Sequence, residues 1–327
     1  MKQKSLLMIK TKIQRIVPYW LTGILLICTA QTAGAFLFSQ NLKAEKSQDK
    51  EVTPQVLGAS TSVRGEENQF DASTFTPIKA IDTTGIKAKS YLVFDLSSGQ
   101  NLLEKNSSQK FSIASLTKLL TALVAYKNID LSQNITITNN DILKVKPVLS
   151  FAKGDILKAA DVFDAMLIGS CNDAALALGN FVATTTGQSF VSLMNAEAEN
   201  LEMTDSHFSN PMGFDSTGNY STAMDIKKLI TATQSLAAFQ SLGRRTSYQF
   251  NSALGNSYST VATNTLIRAH DDIQAIKTGY TGEAGGAMAT KIKAGGREIV
   301  ILVLNSSNRE SDTLKLREEV LNDYNWN

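Results

Sequence analysis

Ile113-Ala114-Ser115-Leu116-Thr117-Lys118-Leu119-Leu120-Thr121-Ala122-Leu123-Val124-Ala125-Tyr126 is the stretch on which the reading of this chain turns. From Leu116 to Tyr126 the residues are apolar almost without interruption, and the run is longer than a strand, so it predicts a buried helix. Ser115 stands at its start, and Lys118 lies one turn further on the same face. A serine before a helix is ordinarily an N-cap. A lysine inside an apolar helix is harder to place, because a buried ammonium needs a partner or must lose its proton. From a free pKa of about 10.4, neutrality at pH 7 costs roughly 4.6 kcal/mol. Burial, the helix N-terminus and a second cation each reduce that cost, and a neutral lysine beside a serine is a general base beside a nucleophile.

Two further motifs follow in order. Ser170-Cys171-Asn172 falls at a junction between two predicted helices, where a turn can aim both polar side chains into a cleft. Lys277-Thr278-Gly279 follows the apolar run Ile273–Ile276 and so sits on or beside a strand. Lys277 is the candidate second cation, and Gly279 lets a ligand approach the backbone. Ser47–Lys50 and Ser107–Lys110 repeat the form of the first motif, and Ser132–Asn134 that of the second. Those copies stand in polar surroundings and read as solvated loops.

Strand signals lie at the two ends of the globular region. Ser90–Asp95 and Asn101–Glu104 form a hairpin around Ser97-Ser98-Gly99. Ala287–Ala294 and Arg297–Asn305 flank Gly295-Gly296, a two-residue hairpin turn. Helices are expected at 155–168, 173–183 (closed by Gly187), 189–203 and 311–324, with a capping box at Thr222–Asp225 ahead of another. Strands at both termini with helices between predict an α/β (α+β) domain: an antiparallel sheet joined by the two ends, with flanking helices and a helical cluster beside it.

Residues 1–18 are a basic tail with Lys2, Lys4, Lys10, Lys12, Arg15 and no acidic residue. Residues 19–38 are apolar or small, and twenty residues in a helix cover about 30 Å, the thickness of a bilayer core. They read as a transmembrane signal-anchor whose basic flank keeps the tail cytoplasmic and sends the remainder outside. Ala33-Gly34-Ala35 offers a rival cleavage site, which would release the domain as a secreted protein. Residues 39–76 are polar and poor in large apolar residues, a flexible linker. The catalytic domain is assigned to 77–327.

Composition narrows the function. With 43% hydrophobic residues and a net charge of +2, the chain carries no basic surplus for a nucleic-acid partner. Cys28 and Cys171 lie far apart, and His207 and His270 have no metal-ligand spacing, so neither a disulfide framework nor a metal site is expected. No organic cofactor is implied, and any acyl-transfer chemistry is expected to use a base other than histidine.

With its motifs in this order, the sequence resembles the low-molecular-mass penicillin-binding proteins, specifically the D-alanyl-D-alanine carboxypeptidases of serine peptidase family S11. Phe208–Asp215, Tyr220–Thr222 with Asp225, and Ile276–Thr281 with Glu283–Gly285 extend the likeness to about three quarters of the chain. The resemblance implies a β-lactamase/transpeptidase-like fold and hydrolysis of the terminal D-Ala-D-Ala bond of peptidoglycan stem peptides, with β-lactams as inhibitors that acylate the same serine. It implies Ser115 as nucleophile, Lys118 as base and Ser170 as proton relay, held with Asn172. Lys277, Thr278 and Gly279 would receive the substrate carboxylate with help from Arg309, and the backbone N–H groups of Ser115 and Tyr280 would form the oxyanion hole. Many members carry a second β-rich domain and a C-terminal anchor, so tethering is here assigned to the N-terminus. Cys171 and Asn219 depart from the family's usual small residue and histidine, and a thiol at 171 is expected in the cleft. Three alternatives stand beside this reading. One is a D,D-endopeptidase. Another is a β-lactamase using Glu197, Glu199 or Glu202 for deacylation. The third is a wall-binding sensor without catalysis.

Overall fold

Gly295 and Gly296 both adopt positive φ, +54° and +77°. This backbone turns a two-residue hairpin without splaying its strands. It joins β8 (Gly285–Ala294) to β9 (Arg297–Ser306), two strands of a five-stranded antiparallel sheet ordered β2-β1-β9-β8-β7. The N-terminal hairpin of β1 (Ser90–Asp95) and β2 (Asn101–Lys105) docks on β9, with Ser90 opposite Leu304 and Asp95 opposite Ile299. β7 (Ile273–Thr281) closes the far edge beside β8. The computed structural model describes residues 76–144 and 149–326, all within one compact unit. The basic tail, the apolar segment 19–38 and all but the last residue of the linker lie outside the described residues. Among the described residues no helix is long and apolar enough to cross a membrane.

Every residue of β1 and of β9 from Ile299 to Leu304 is buried, so both faces of the sheet are covered. On β8 and β9 packs α7 (Arg309–Asp323), burying Leu316 and Val320. Against β1 and β9 packs α5 (Ala223–Gln234), burying Ile226, Leu229 and Ile230. The chain enters beside the last turn of α7: Pro77 bridges Tyr324, the Ile78 N–H donates to the Asp323 carbonyl, and Lys79 pairs with Asp323 at 2.6 Å.

The predicted buried helix is α1 (Thr117–Asn128), with Thr117 through Ala125 all buried. Around it lie α2 (Ala159–Ile168), α3 (Asn172–Thr186), α4 (Phe190–Asn200) and α5. Each fully buried Leu, Ile or Phe contributes about 1.5–3 kcal/mol to such a cluster. Gly187 closes α3 in the left-handed conformation, as its position implied. A four-residue helix, α6 (Ala237–Gln240), follows α5.

The structure corrects several element boundaries. The expected helix 155–168 begins only at Ala159; Ile156–Lys158 is β4, paired with β3 (Asn134–Thr136). Gly154, at φ +88°, turns the chain there, and Asp155 serves as a hub instead of a helix start. Its buried carboxylate accepts from Ser252 Oγ at 3.1 Å, Asn256 Nδ2 at 2.8 Å and the Tyr258 hydroxyl. These bonds pin the hairpin of β5 (Ser247–Asn251) and β6 (Ser257–Val261), which the sequence reading lacked. Burial raises the Asp155 pKa, but the three donors outweigh it and hold the carboxyl below its ordinary value. At Thr222 only half of the capping box forms. Its side chain caps the Asp225 N–H, while Asp225 accepts from the Asp205 N–H, Ser206 and Lys228. The expected helix 189–203 is α4, four residues shorter with Ser189 as its cap, and 311–324 is shifted to 309–323.

Replacing Asp155 by alanine strands the buried Ser252 and Tyr258 hydroxyls at once and releases the exposed Asn256 amide. Asp155→Ala is expected to cost about 3 kcal/mol or more in urea unfolding, since each orphaned polar group costs about 1–3 kcal/mol.

Candidate active site

Ala114 takes φ +48°, an uncommon conformation for a residue with a side chain. It opens a 3₁₀ turn, Ala114–Leu116, that carries Ser115 into α1. Ser115 is therefore not the cap of α1: that position falls to Leu116, which makes no side-chain cap. The serine hydroxyl instead faces Lys118, whose Nζ lies 2.8 Å from Ser115 Oγ. The amine also reaches Asn172 Oδ1 at 2.7 Å and the Met212 carbonyl at 2.6 Å. Lys118 is fully buried, and burial lowers its pKa from the usual 10.5 to about 7.

Three segments press together to build this arrangement. Gly213, at φ +85°, lies so close to the nucleophile turn that an added Cβ would fall 2.0 Å from the Ala114 carbonyl oxygen. From the opposite side, a Cβ on Gly279 of β7 would meet the Ser115 nitrogen at 2.8 Å. Asn210 Oδ1 accepts from the Gly213 and Phe214 N–H groups and shapes the turn that delivers the Met212 carbonyl. One turn further along α1, the Thr121 hydroxyl donates to the Pro211 carbonyl at 2.7 Å. Asp215 then ties this loop to the end of β7, accepting from Thr281 Oγ1 at 2.5 Å and the Glu283 N–H at 3.3 Å.

Ser170, at φ +58°, occupies the break between α2 and α3. Among the described residues its hydroxyl has no hydrogen-bond partner, whereas Asn172 one turn-step on is fixed by Lys118. The N-cap of α3 is Cys171, and this corrects the expectation for its thiol. Cys171 is buried rather than in the cleft: Sγ accepts from the Ala174 N–H and donates to the Leu149 carbonyl. Burial pushes its pKa up to about 11, which makes the thiol inert. Asn219 is also buried, with Nδ2 donating to the Phe214 carbonyl at 3.3 Å, so it braces the same loop.

On β7, Lys277 and Thr278 are both buried. Lys277 Nζ donates to the Thr278 carbonyl at 2.9 Å, and Thr278 Oγ1 to Thr263 Oγ1 at 2.6 Å. Burial, then the nearby Lys118 and Arg309 charges, hold the Lys277 pKa well below 10.5. Arg309, at the start of α7, donates from Nη1 to the Gly279 carbonyl at 2.6 Å. Lys277 and Arg309, in so little solvent, form a site for an anion.

The structure thus brings Ser115, Lys118 and Asn172 into one hydrogen-bonded group. Gly279 lies against Ser115, with Lys277, Thr278, Tyr280 and Arg309 on or beside the same strand. The Met212 carbonyl, Thr263 and the Asp215–Thr281 bond were not foreseen. A backbone acceptor has no side-chain signature, and only the turn signal in Asn210–Gly213 marked the place. The three glutamates considered for deacylation do not join the group. Glu197 pairs with Lys127 at 2.6 Å, nine residues past Lys118 and so about 13 Å along α1. Glu199 and Glu202 are exposed. His207 holds the Gly218 carbonyl on the surface.

Residues 77–308 match the family model described as D-alanyl-D-alanine carboxypeptidase, Peptidase S11. The chain is 26% identical over 261 residues to the D-alanyl-D-alanine carboxypeptidase DacC of Escherichia coli, covering 76% of this chain and 63% of that protein. It is 30% identical over 220 residues to DacB2 of Mycobacterium tuberculosis, covering 66% and 74%. It spans less than two thirds of the length of the Escherichia coli and Bacillus subtilis relatives. The crystal structure of a D-alanyl-D-alanine carboxypeptidase from Mycobacterium tuberculosis superposes with a TM-score of 0.66 at 28% identity, over 75% of this chain and 94% of that one. The Streptomyces K15 DD-transpeptidase shares the fold, with a TM-score of 0.65 at 24% identity over 74% and 98%.

Two outcomes test this geometry. Gly213→Ala combines a positive φ with a backbone collision and is expected to cost about 2 kcal/mol or more in thermal or urea unfolding. Lys118 binds fewer protons folded than unfolded between pH 7 and 10.5, so its burial penalty fades as pH rises through that window. The stability of the wild type relative to Lys118→Met should therefore increase from pH 7 to pH 10; a flat difference would mean the amine is not depressed.

Proposed function

Because the chain belongs to the D-alanyl-D-alanine carboxypeptidase family, Peptidase S11, we propose that it removes the terminal D-alanine from peptidoglycan stem peptides through an acyl-enzyme on Ser115. The observation that carries this reading is the buried Lys118 amine with its three partners. A neutral amine has two N–H groups and one lone pair. Asn172 Oδ1 and the Met212 carbonyl can only accept, so they take both N–H groups. The lone pair is left for the Ser115 hydroxyl proton.

Lys118 accepts that proton as Ser115 Oγ attacks the carbonyl carbon of the penultimate D-alanine. The backbone N–H groups of Ser115 and Tyr280 hold the oxyanion. The proton passes from Lys118 through the Ser170 hydroxyl to the departing nitrogen, and D-alanine leaves. Lys118, neutral again, deprotonates a water that attacks the ester, and the proton returns to Ser115. The terminal carboxylate lies against Lys277, Thr278 Oγ1 and Arg309. Its charge opposes the burial and the neighbouring cations that lower the Lys277 pKa, so binding favours the protonated lysine. A β-lactam presents the same carboxylate and a strained amide, and it acylates the same serine.

Residues 19–38 serve in this reading as a single-pass anchor in the plasma membrane, with 1–18 cytoplasmic, 39–76 as tether and 77–327 outside. The apolar length and the one-sided basic flank support that arrangement. Complete resistance to a protease added outside spheroplasts would overturn it.

D-alanine release from a pentapeptide ending in D-Ala-D-Ala should be detectable with the wild type and vanish in Ser115→Ala. A folded, penicillin-reactive protein that releases none would sink the carboxypeptidase reading in favour of an endopeptidase. Acylation kcat/KM should rise about tenfold per pH unit below about 7 and level above it, as Lys118 loses its proton. Lys277→Ala should lower kcat/KM by about 10–150-fold, mainly through KM, as for a lost charged hydrogen bond of about 1.5–3 kcal/mol. A C-terminally amidated peptide should be indifferent to that change.

A further inference from the structure

An open groove of about 600 Å³ runs between β3 and the outer side of α3, away from the chemistry described above. One wall is a row of exposed neutral side chains at alternate positions, Asn134, Thr136 and Thr138, which a strand presents to one side. The other wall is Asn180 and Thr184, one helical turn apart, with the half-buried ring of Phe181 beside them.

The ionisable member of the lining is Asp141, and its carboxylate is already committed. Oδ2 accepts from the Thr138 N–H and hydroxyl, both at 2.7 Å, and Oδ1 from Asn180 Nδ2 at 2.8 Å. Asn180 Nδ2 also donates to the Asn140 carbonyl at 3.1 Å, so its amide is held with the carbonyl oxygen turned outward. The lining therefore offers fixed amide and hydroxyl groups and one aromatic face, with no free charge. That chemistry suits a ligand rich in hydroxyl and acetamido groups with apolar C–H faces, and it gives nothing to an anion or a cation.

Position selects the occupant. Asn180 lies eight residues past Asn172 on one helix, a rise of about 12 Å along its axis. Three to four extended residues of a stem peptide cover about 10–14 Å. A peptide with its scissile bond at Ser115 thus has the length to bring its sugar-bearing end to the groove. We propose that the groove between β3 and α3 binds the N-acetylated glycan that carries the stem peptide. This inference rests on the carboxypeptidase reading for its substrate, though the groove's lining stands apart from it.

Two measurements on the full-length chain test the proposal. The first compares D-alanine release from a bare pentapeptide and from the same peptide carrying its disaccharide. The disaccharide form should show a KM about 3–10-fold lower at equal kcat. Thr136→Trp fills the groove from an exposed strand position without breaking an internal bond, and it should erase that advantage while leaving bare-peptide kinetics unchanged. Equal KM values in the wild type, or an advantage that survives Thr136→Trp, would overturn the proposal. The second is saturation-transfer NMR with a peptide-free chain of β-1,4-linked N-acetylated sugars. Transfer is expected in the wild type and in Ser115→Ala and lost in Thr136→Trp; its absence in the wild type would also overturn the proposal. If neither peptide is hydrolysed but the sugar chain binds at the groove, the catalytic reading fails and the groove assignment stands.

Discussion

A primary amine with nowhere to put its charge is the constraint around which this domain is organised. Lys118 is fully buried in α1, where every residue from Thr117 to Ala125 is buried, and the rest of the site holds its amine in place. Its two N–H groups are absorbed by an amide oxygen from α3 and a carbonyl from the 209–215 loop. Moving either acceptor away would leave a buried donor unpaired, so three distant segments of sequence are bound to one atom. The sheet contributes the remaining wall, because Gly279 allows β7 to lie against Ser115 where a side chain would collide.

The second constraint is electrostatic. Lys277 sits within the influence of Lys118 and Arg309, and burial lowers its pKa further. In the empty cleft, burial and both neighbouring cations work against the charge on Lys277. An arriving anion works the other way and favours the protonated lysine. Recognition and catalysis therefore make opposite demands: the carboxylate favours a charged Lys277, while Lys118 must be neutral to act.

Much of this was legible in the sequence, and the parts that were not share a cause. Long apolar runs and Gly-Gly turns carry strong local signals, so α1, β1, β8 and β9 were readable, as was the joining of the two chain ends in one sheet. The motif residues were recognisable because an apolar context separates Ser115–Lys118 from its copies in polar loops. What escaped depends on distant partners. β3 and β4 are three residues each and exist by pairing with one another. Asp155 resembled a helix start because its role as a hub requires Ser252, Asn256 and Tyr258, about a hundred residues away. Cys171 looked like a cleft residue from its neighbours Ser170 and Asn172, yet the φ of +58° at Ser170 turns alternate side chains apart and sends the thiol inward. The Met212 carbonyl has no side chain to betray it.

The place where the chain enters the fold has a practical consequence. Pro77 and Ile78 are stitched to Asp323 and Tyr324, while Arg309 at the other end of the same helix touches Gly279. Fourteen residues of helix put about 21 Å between the two points. Whatever holds the protein by its N-terminus, whether a lipid layer or a biosensor chip, therefore grips it at the end of α7 remote from the mouth. Surface-immobilised protein can present its cleft to soluble compounds without a spacer, and probe size rather than attachment geometry should set the limit on access.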